Sequence, residues 1–243
     1  MAAGSTYEER APRGALSAWV PCLWVRRAPE ASESRVVPDG CVDLVWRRGR
    51  LEIAGPDSGH RLVPLAPGER IAGVRLRPGA ARPLLGGTPA TAVLDDQPEL
   101  ERLWGGDARL LADRIAGESD PWRVAERLAV ALGERMGGYG PDPVAVAVAE
   151  ALDRPRPPSV ARMAWELGFS ERQLRRRVTS AVGYGPKTLA QVLRFGRTVA
   201  ASGPAADWGR IAAEQGYADQ AHLSRQVRRW SGATPRELTA QSA

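Results

Sequence analysis

The stretch LGFSERQLRRRVTSAVGYGP, Leu167–Pro186, places Arg172, Arg175, Arg176 and Arg177 within six residues of a segment whose apolar residues keep helical spacing. A second stretch, QGYADQAHLSRQVRRWSGATP, Gln215–Pro235, repeats its plan. Ala164 aligns with Ala212, Gly168 with Gly216 and Phe169 with Tyr217 at an offset of 48 residues. One residue is then inserted. At an offset of 49, Leu174 aligns with Leu223, Arg176 with Arg225, Val178 with Val227, Gly183 with Gly232 and Pro186 with Pro235. Each copy reads as a short helix, a Gly-aromatic turn, a polar and basic helix and a Gly-x-x-Pro exit, which is the layout of a helix-turn-helix.

The faces left over carry the chemistry. With Leu174, Val178 and Ala181 turned inward, Arg172, Arg175 and Arg176 project from the first two turns of their helix. With Leu223 and Val227 inward, Gln220, His222, Ser224 and Arg225 do the same in the second copy. Arginine pairs with guanine edges and glutamine with adenine, and the start of such a helix is where the motif meets bases. A lone arginine-rich helix is more often a solvated face. Two copies with the same turn and exit favour DNA.

Residues Pro143–Leu238 resemble the C-terminal domain of AraC/XylS-type transcription regulators. The resemblance is strongest in IAAEQGYADQAHLSRQVRRWSGATPREL and fair in VARMAWELGFSERQLRRRVTSAVGYGP. It implies two helix-turn-helix units, at 159–183 and 207–232, joined by a long helix at 187–202 and entering successive major grooves of double-stranded DNA. By position it carries the base-facing role to Arg172, Arg175, Arg176, Gln220, Ala221, His222, Ser224 and Arg225. Val178 and Val227 stand where the family usually has Phe, and Leu238 where it often has Tyr. These remain apolar, so the core is expected to survive. Ala221 cannot hydrogen-bond a base, which leaves the second helix more dependent on its neighbours.

Outward from this region, charge and texture divide the chain. The 243 residues carry a net charge of +6, but from Asp153 onward there are 15 Lys+Arg against 7 Asp+Glu, leaving the first 152 residues at −2. A basic segment suited to a polyanion is thus joined to one that is not. LDRPRPPSV, Leu152–Val160, reads as a linker. Before it, 16–97 reads as short strands broken by Gly and Pro, in a sandwich or barrel. Residues 98–137 switch to helical spacing, with Asp107 and Asp120 where N-caps belong. The expected organisation is therefore α+β: an extended or disordered N-terminus at 1–15, a β-rich domain with trailing helices at 16–137, and an all-α DNA-binding domain at 138–243.

VVPDGCVDLVW and GVRLRPGAARPLLG also resemble a companion domain of actinobacterial AraC-type proteins, over roughly Leu16–Met136, which implies a sensor or dimerisation role. Trp19, Trp24 and Trp46 are candidates for an effector pocket with Arg75, although aromatics among strands are more often plain core. Asp39, Cys41 and Asp43 alternate and would share a strand face, but this is a poor ligand set for zinc. Cys22 and Cys41 read as buried small residues.

Several classes are disfavoured. No run is long enough to cross a bilayer, the N-terminus lacks a secretory pattern, and two cysteines make neither a disulfide scaffold nor a four-thiolate zinc site. LLGGTPAT lacks the Lys-Ser/Thr of a phosphate loop. The reading is a cytoplasmic, nucleoid-associated DNA-binding protein, not an enzyme, with no cofactor or metal. RNA polymerase, a small-molecule effector and a second copy of the chain are the further expected partners. The alternative is an alkylation-response protein using the same DNA-binding domain, which would need an activated thiolate.

Overall fold

The computed structural model describes residues 5–138, 140–203 and 205–240. The first part of the chain builds a five-stranded antiparallel sheet from β1 (Thr6–Arg10), β2 (Cys22–Ala28), β4 (Val42–Arg47), β5 (Arg50–Ala54) and β7 (Glu69–Leu76), in the order β1-β2-β7-β4-β5. β3 (Ser32–Val36) and β6 (Arg61–Leu65) pair separately as a two-stranded ribbon. Arg48 and Gly49 connect β4 to β5, both at positive φ, as a tight two-residue hairpin requires.

Side-chain alternation gives the sheet two unlike faces. Leu23, Val25, Leu44, Ile53, Val74 and Leu76 pack against the helices of the first domain. Cys22, Trp24, Val45, Ala54 and Ile71 lie beneath the ribbon residues Val63 and Leu65. The registers Trp24↔Gly73 and Val45↔Gly73 put Gly73 in the middle of that second face. A methyl group at position 73 would overlap the indole of Trp24, so the ring lies across β7 only because no side chain is there.

Thr6–Arg10, expected to be extended or disordered, pairs with β2 as an edge strand. All five of its residues are exposed, so they show no apolar alternation, and a charged edge strand resists further pairing.

Helices α1 (Arg82–Leu85), α2 (Glu101–Trp104), α3 (Gly106–Ile115) and α4 (Pro121–Met136) cover the apolar face. Asp120 caps α4 as expected, accepting from Trp122 N–H. Asp107 is not a cap. Gly105 precedes α3, at φ 55°, and Asp107 lies inside the first turn, bonded to Arg135 Nη1 at 2.9 Å. An acid there still complements the helix dipole.

The all-α part comprises α5 (Pro143–Leu152), α6 (Val160–Glu166), α7 (Glu171–Val182), α8 (Pro186–Ala200), α9 (Trp208–Glu214), α10 (Gln220–Ser231) and α11 (Pro235–Ala240). Its core draws on Met163 and Ala164 of α6, Leu174 and Val178 of α7, Leu223, Val227 and Trp230 of α10, and the α8 stripe Leu189, Val192 and Phe195. Ala181 is only half-buried while Val182 is fully buried, and Leu167 is exposed. Helix α5 joins the two cores, with Val146 in the first and Val148, Ala149 and Leu152 in the second. Among the described residues, no helix is long and apolar enough to cross a membrane.

Candidate nucleic-acid interface

Each repeat folds into two helices around a tight turn. In the first, Gly168 turns at φ 72° and Ser170 caps α7 through a capping box. Ser170 Oγ accepts from Gln173 N–H at 3.3 Å, and Gln173 Oε1 accepts from Ser170 N–H at 2.9 Å. In the second, Gly216 turns at φ 73° and Asp219 caps α10 by accepting from His222 N–H at 2.6 Å. Gly183 and Gly232 end α7 and α10 in the left-handed conformation.

The aromatic residue of each turn holds an arginine that does not face solvent freely. Arg177 lies over the Phe169 ring, and its Nε donates to both Asp142 oxygens at 2.8 and 3.0 Å. Arg194 of α8 lies over Tyr217 and donates to the Gly216 carbonyl at 2.9 Å. Tyr217 Oη meets Thr198 Oγ1 at 3.1 Å in the core; burial raises the phenol above its usual range despite that bond. Arg177 is thus a strut between α7 and the start of α5, since Asp142 also caps α5.

Arg172, Arg175 and Arg176 are exposed on α7. Arg175 makes a surface ion pair with Glu171, one turn earlier, at 2.9 Å, an interaction weak enough to yield to a phosphate or base. Arg176 sits at the edge of a groove shared with Arg82, Leu85, Thr88 and Pro89 of the first domain.

On α10, Gln220, Ala221 and Arg225 are exposed. His222 and Ser224 are half-buried and already engaged. His222 Nδ1 accepts from Ala218 N–H at 3.3 Å, with its ring edge-on to Tyr217. Ser224 Oγ donates to the Gln220 carbonyl at 2.9 Å. With Nδ1 accepting, a neutral His222 carries its hydrogen on Nε2, which is then a donor.

In the first domain the four effector-pocket candidates do not come together. Trp24 and Arg75 line a cavity between the sheet and the β3–β6 ribbon. Trp19 and Trp46 pack against the opposite, helix-covered core, because Trp46 falls on the other side of the β4 alternation from Asp43 and Val45.

Arg75 is the centre of an acidic cluster. It meets Asp43 at 3.1 Å, Asp39 at 3.4 Å and Glu9 at 3.7 Å. A guanidinium therefore supplies the positive charge for the Asp39 and Asp43 carboxylates. Burial pushes Asp43 up, and Arg75 opposes it. The same cavity receives Arg26, which has no ion-pair partner among the described residues and stacks on Tyr7 at 4.9 Å. Burial lowers its pKa. The period-two pattern of CLWVRRA contains Arg26, but its place in the cavity depends on a ribbon that is remote in sequence.

Residues 163–241 match a family described as a helix-turn-helix domain, and residues 8–98 match one described as a domain of unknown function. No curated protein matches. Among solved structures the chain is similar to the C-terminal domain of AraT, a response regulator from Geobacillus stearothermophilus, at 16% identity and a TM-score of 0.37, covering 41% of this chain and 86% of that one. It is similar to apo ToxT from Vibrio cholerae strain SCE256 at 12% identity and a TM-score of 0.48, covering 90% and 96%. It is also similar to ToxT from Vibrio cholerae O395 at 11% identity and a TM-score of 0.46, covering 87% and 96%. The match over residues 163–241, set on the paired units just described, makes the C-terminal part of this chain a double helix-turn-helix DNA-binding domain of the AraC/XylS transcription-regulator type.

Proposed function

We propose that this protein is a sequence-specific regulator of transcription that acts by binding rather than catalysis, reading two successive major grooves with α7 and α10. The observation that carries the reading is the division of each helix. One side is sealed into a common core through Leu174 and Val178, or Leu223 and Val227. The other side leaves Arg172, Arg175 and Arg176, or Gln220, Ala221 and Arg225, exposed. Guanidinium forks and a carboxamide suit guanine and adenine edges respectively, while Ala221 offers contact only to a thymine methyl. His222 and Ser224 are assigned to the same face, with His222 contributing through Nε2. The first domain is assigned the signal-sensing role, with the cavity at Trp24, Arg26 and Arg75 as its effector site. RNA polymerase and a second copy of the chain are the other partners of this reading.

The test is selection of full-length protein on a random duplex library, with affinities measured across a salt series. A two-part motif and a steep loss of affinity with salt are expected. A shift of every duplex with equal affinity would leave a basic surface without sequence reading.

The alkylation-response alternative needs a reactive thiolate. Burial pushes Cys22 up to about 12 and Cys41 well above the usual thiol range. Both thiols therefore stay protonated and poorly nucleophilic at neutral pH. Incubation with methylated DNA should leave the intact mass unchanged. A gain of one methyl group would revive the alternative.

A further inference from the structure

The loop from Gly55 to Arg61 lies in the first domain, yet it touches the ends of both recognition helices. The Pro56 ring seats on Gly183, the residue that ends α7, and the His60 imidazole seats on Gly232, the residue that ends α10. A side chain on either glycine would run into the loop: at Gly183 a Cβ would meet Pro56 Cγ at 2.5 Å, and at Gly232 it would enter the imidazole. Both ends are held by further contacts. Arg35 Nη1 donates to the Ser231 carbonyl at 2.6 Å. Near α7, a Cβ on Gly183 would come within 3.4 Å of the Ala90 carbonyl, and Leu94 packs on the same core.

The loop is itself braced. Asp95 accepts from both the N–H and the hydroxyl of Ser58 at 2.6 Å, and Asp95 N–H donates to the Pro56 carbonyl at 3.0 Å. Asp57 and Arg61 close the loop with an ion pair at 3.2 Å.

Without this loop, α7 and α10 are related through α8, on which both pack. A single connecting helix with one core allows the two units to tilt. A second tie, placed at the far ends of both, removes that freedom. The grip is on the C-terminal ends, while the base-facing residues lie on the N-terminal turns, the part that enters a groove. The tie is therefore compatible with a bound duplex.

We propose that the Gly55–Arg61 loop, through Pro56 and His60 and with Arg35 beside it, fixes the separation and tilt of the two recognition helices and so sets the spacing of the two half-motifs that the protein accepts in DNA. These are positioning residues, and none of them is asked to touch DNA. The proposal rests on the reading that both helices contact bases. One base pair of added spacing displaces the second half-motif by roughly 3.4 Å and rotates it by roughly 35°, a mismatch that a rigid pair of helices rejects and a tilting pair absorbs.

The experiment compares duplex pools selected from a random library by the full chain, by the double variant His60→Ala/Arg35→Ala, and by a chain with two glycines inserted between Ser58 and Gly59. The insertion keeps every side chain and only slackens the tie. Circular dichroism and thermal melting establish that each protein is folded. The wild-type pool should hold two half-motifs at one spacing, with a one-base-pair change costing roughly tenfold in affinity. Both altered proteins should select the same half-motifs at several spacings, with that cost reduced to roughly threefold or less. Identical single-spacing pools from all three folded proteins would overturn the proposal while leaving the DNA-reading assignment standing. A wild-type pool with no two-part motif would remove the assignment itself, and the proposal with it.

Discussion

The two helix-turn-helix units share a scaffold and differ in what they present. Leu174 and Val178 in one, and Leu223 and Val227 in the other, are fully buried at equivalent positions, and both recognition helices end at a left-handed glycine. Their outward chemistry diverges. Helix α7 offers three exposed arginines behind a capping box that consumes Gln173. Helix α10 also carries three exposed arginines, Arg225, Arg228 and Arg229, but its first turn presents Gln220 and Ala221 instead, with His222 and Ser224 partly committed to their own backbone. The buried positions carry the same residue types in both units, because each must fill a similar volume in the shared core, whereas packing does not constrain the exposed ones.

The largest effects should fall equally on both copies. Leu174→Ala and Leu223→Ala each remove a side chain with no exposure, and each should cost about 2–5 kcal/mol in denaturant unfolding. A loss confined to one of them would mean that the two units do not share one core.

The copies should separate in DNA binding. Arg176→Ala and Arg225→Ala should each weaken binding to a selected duplex by about 1–3 kcal/mol and relax preference at different base pairs. Equal weakening on all sequences, with a salt dependence lower by about one counterion, would place that arginine on phosphate instead.

Loss of a cap should be milder. Ser170→Ala and Asp219→Ala should each lower stability by about 0.5–2 kcal/mol, read by thermal melting.

Smallest of all is Ser224→Ala. Its hydroxyl already donates to the Gln220 carbonyl, so stability should change by less than about 0.5 kcal/mol. A binding loss of tenfold or more would show that Ser224 turns outward onto DNA and would narrow the difference between the copies.

Much of the second domain is legible in the sequence because its signals are local. Ser159, Ser170, Asp207 and Asp219 each cap the helix that follows directly in sequence, since a cap acts within one turn of itself. The helical period is equally local: Leu189, Val192 and Phe195 form the buried α8 stripe, with Leu193 and Val199 half-buried at its flank.

The first domain is harder to read. Strand alternation says that Trp24 and Trp46 each face one side, but not that the sides differ, because that depends on pairing partners that are distant in sequence. The division of the tryptophans follows from the sheet order β1-β2-β7-β4-β5. Arg177 is one member of an arginine run whose inward role depends on Asp142, 35 residues earlier. The seat of His60 on Gly232 joins positions that no local pattern connects.

Gly73 and Trp24 are bound together as a pair in any future change to the sheet. While the indole covers β7, even one added carbon at position 73 would strike the ring, so Gly73→Ala should be tolerated only after Trp24 has become smaller. In a mutational survey the order of the two changes would matter more than either change alone, and the route through a shrunken residue 24 would be the open one.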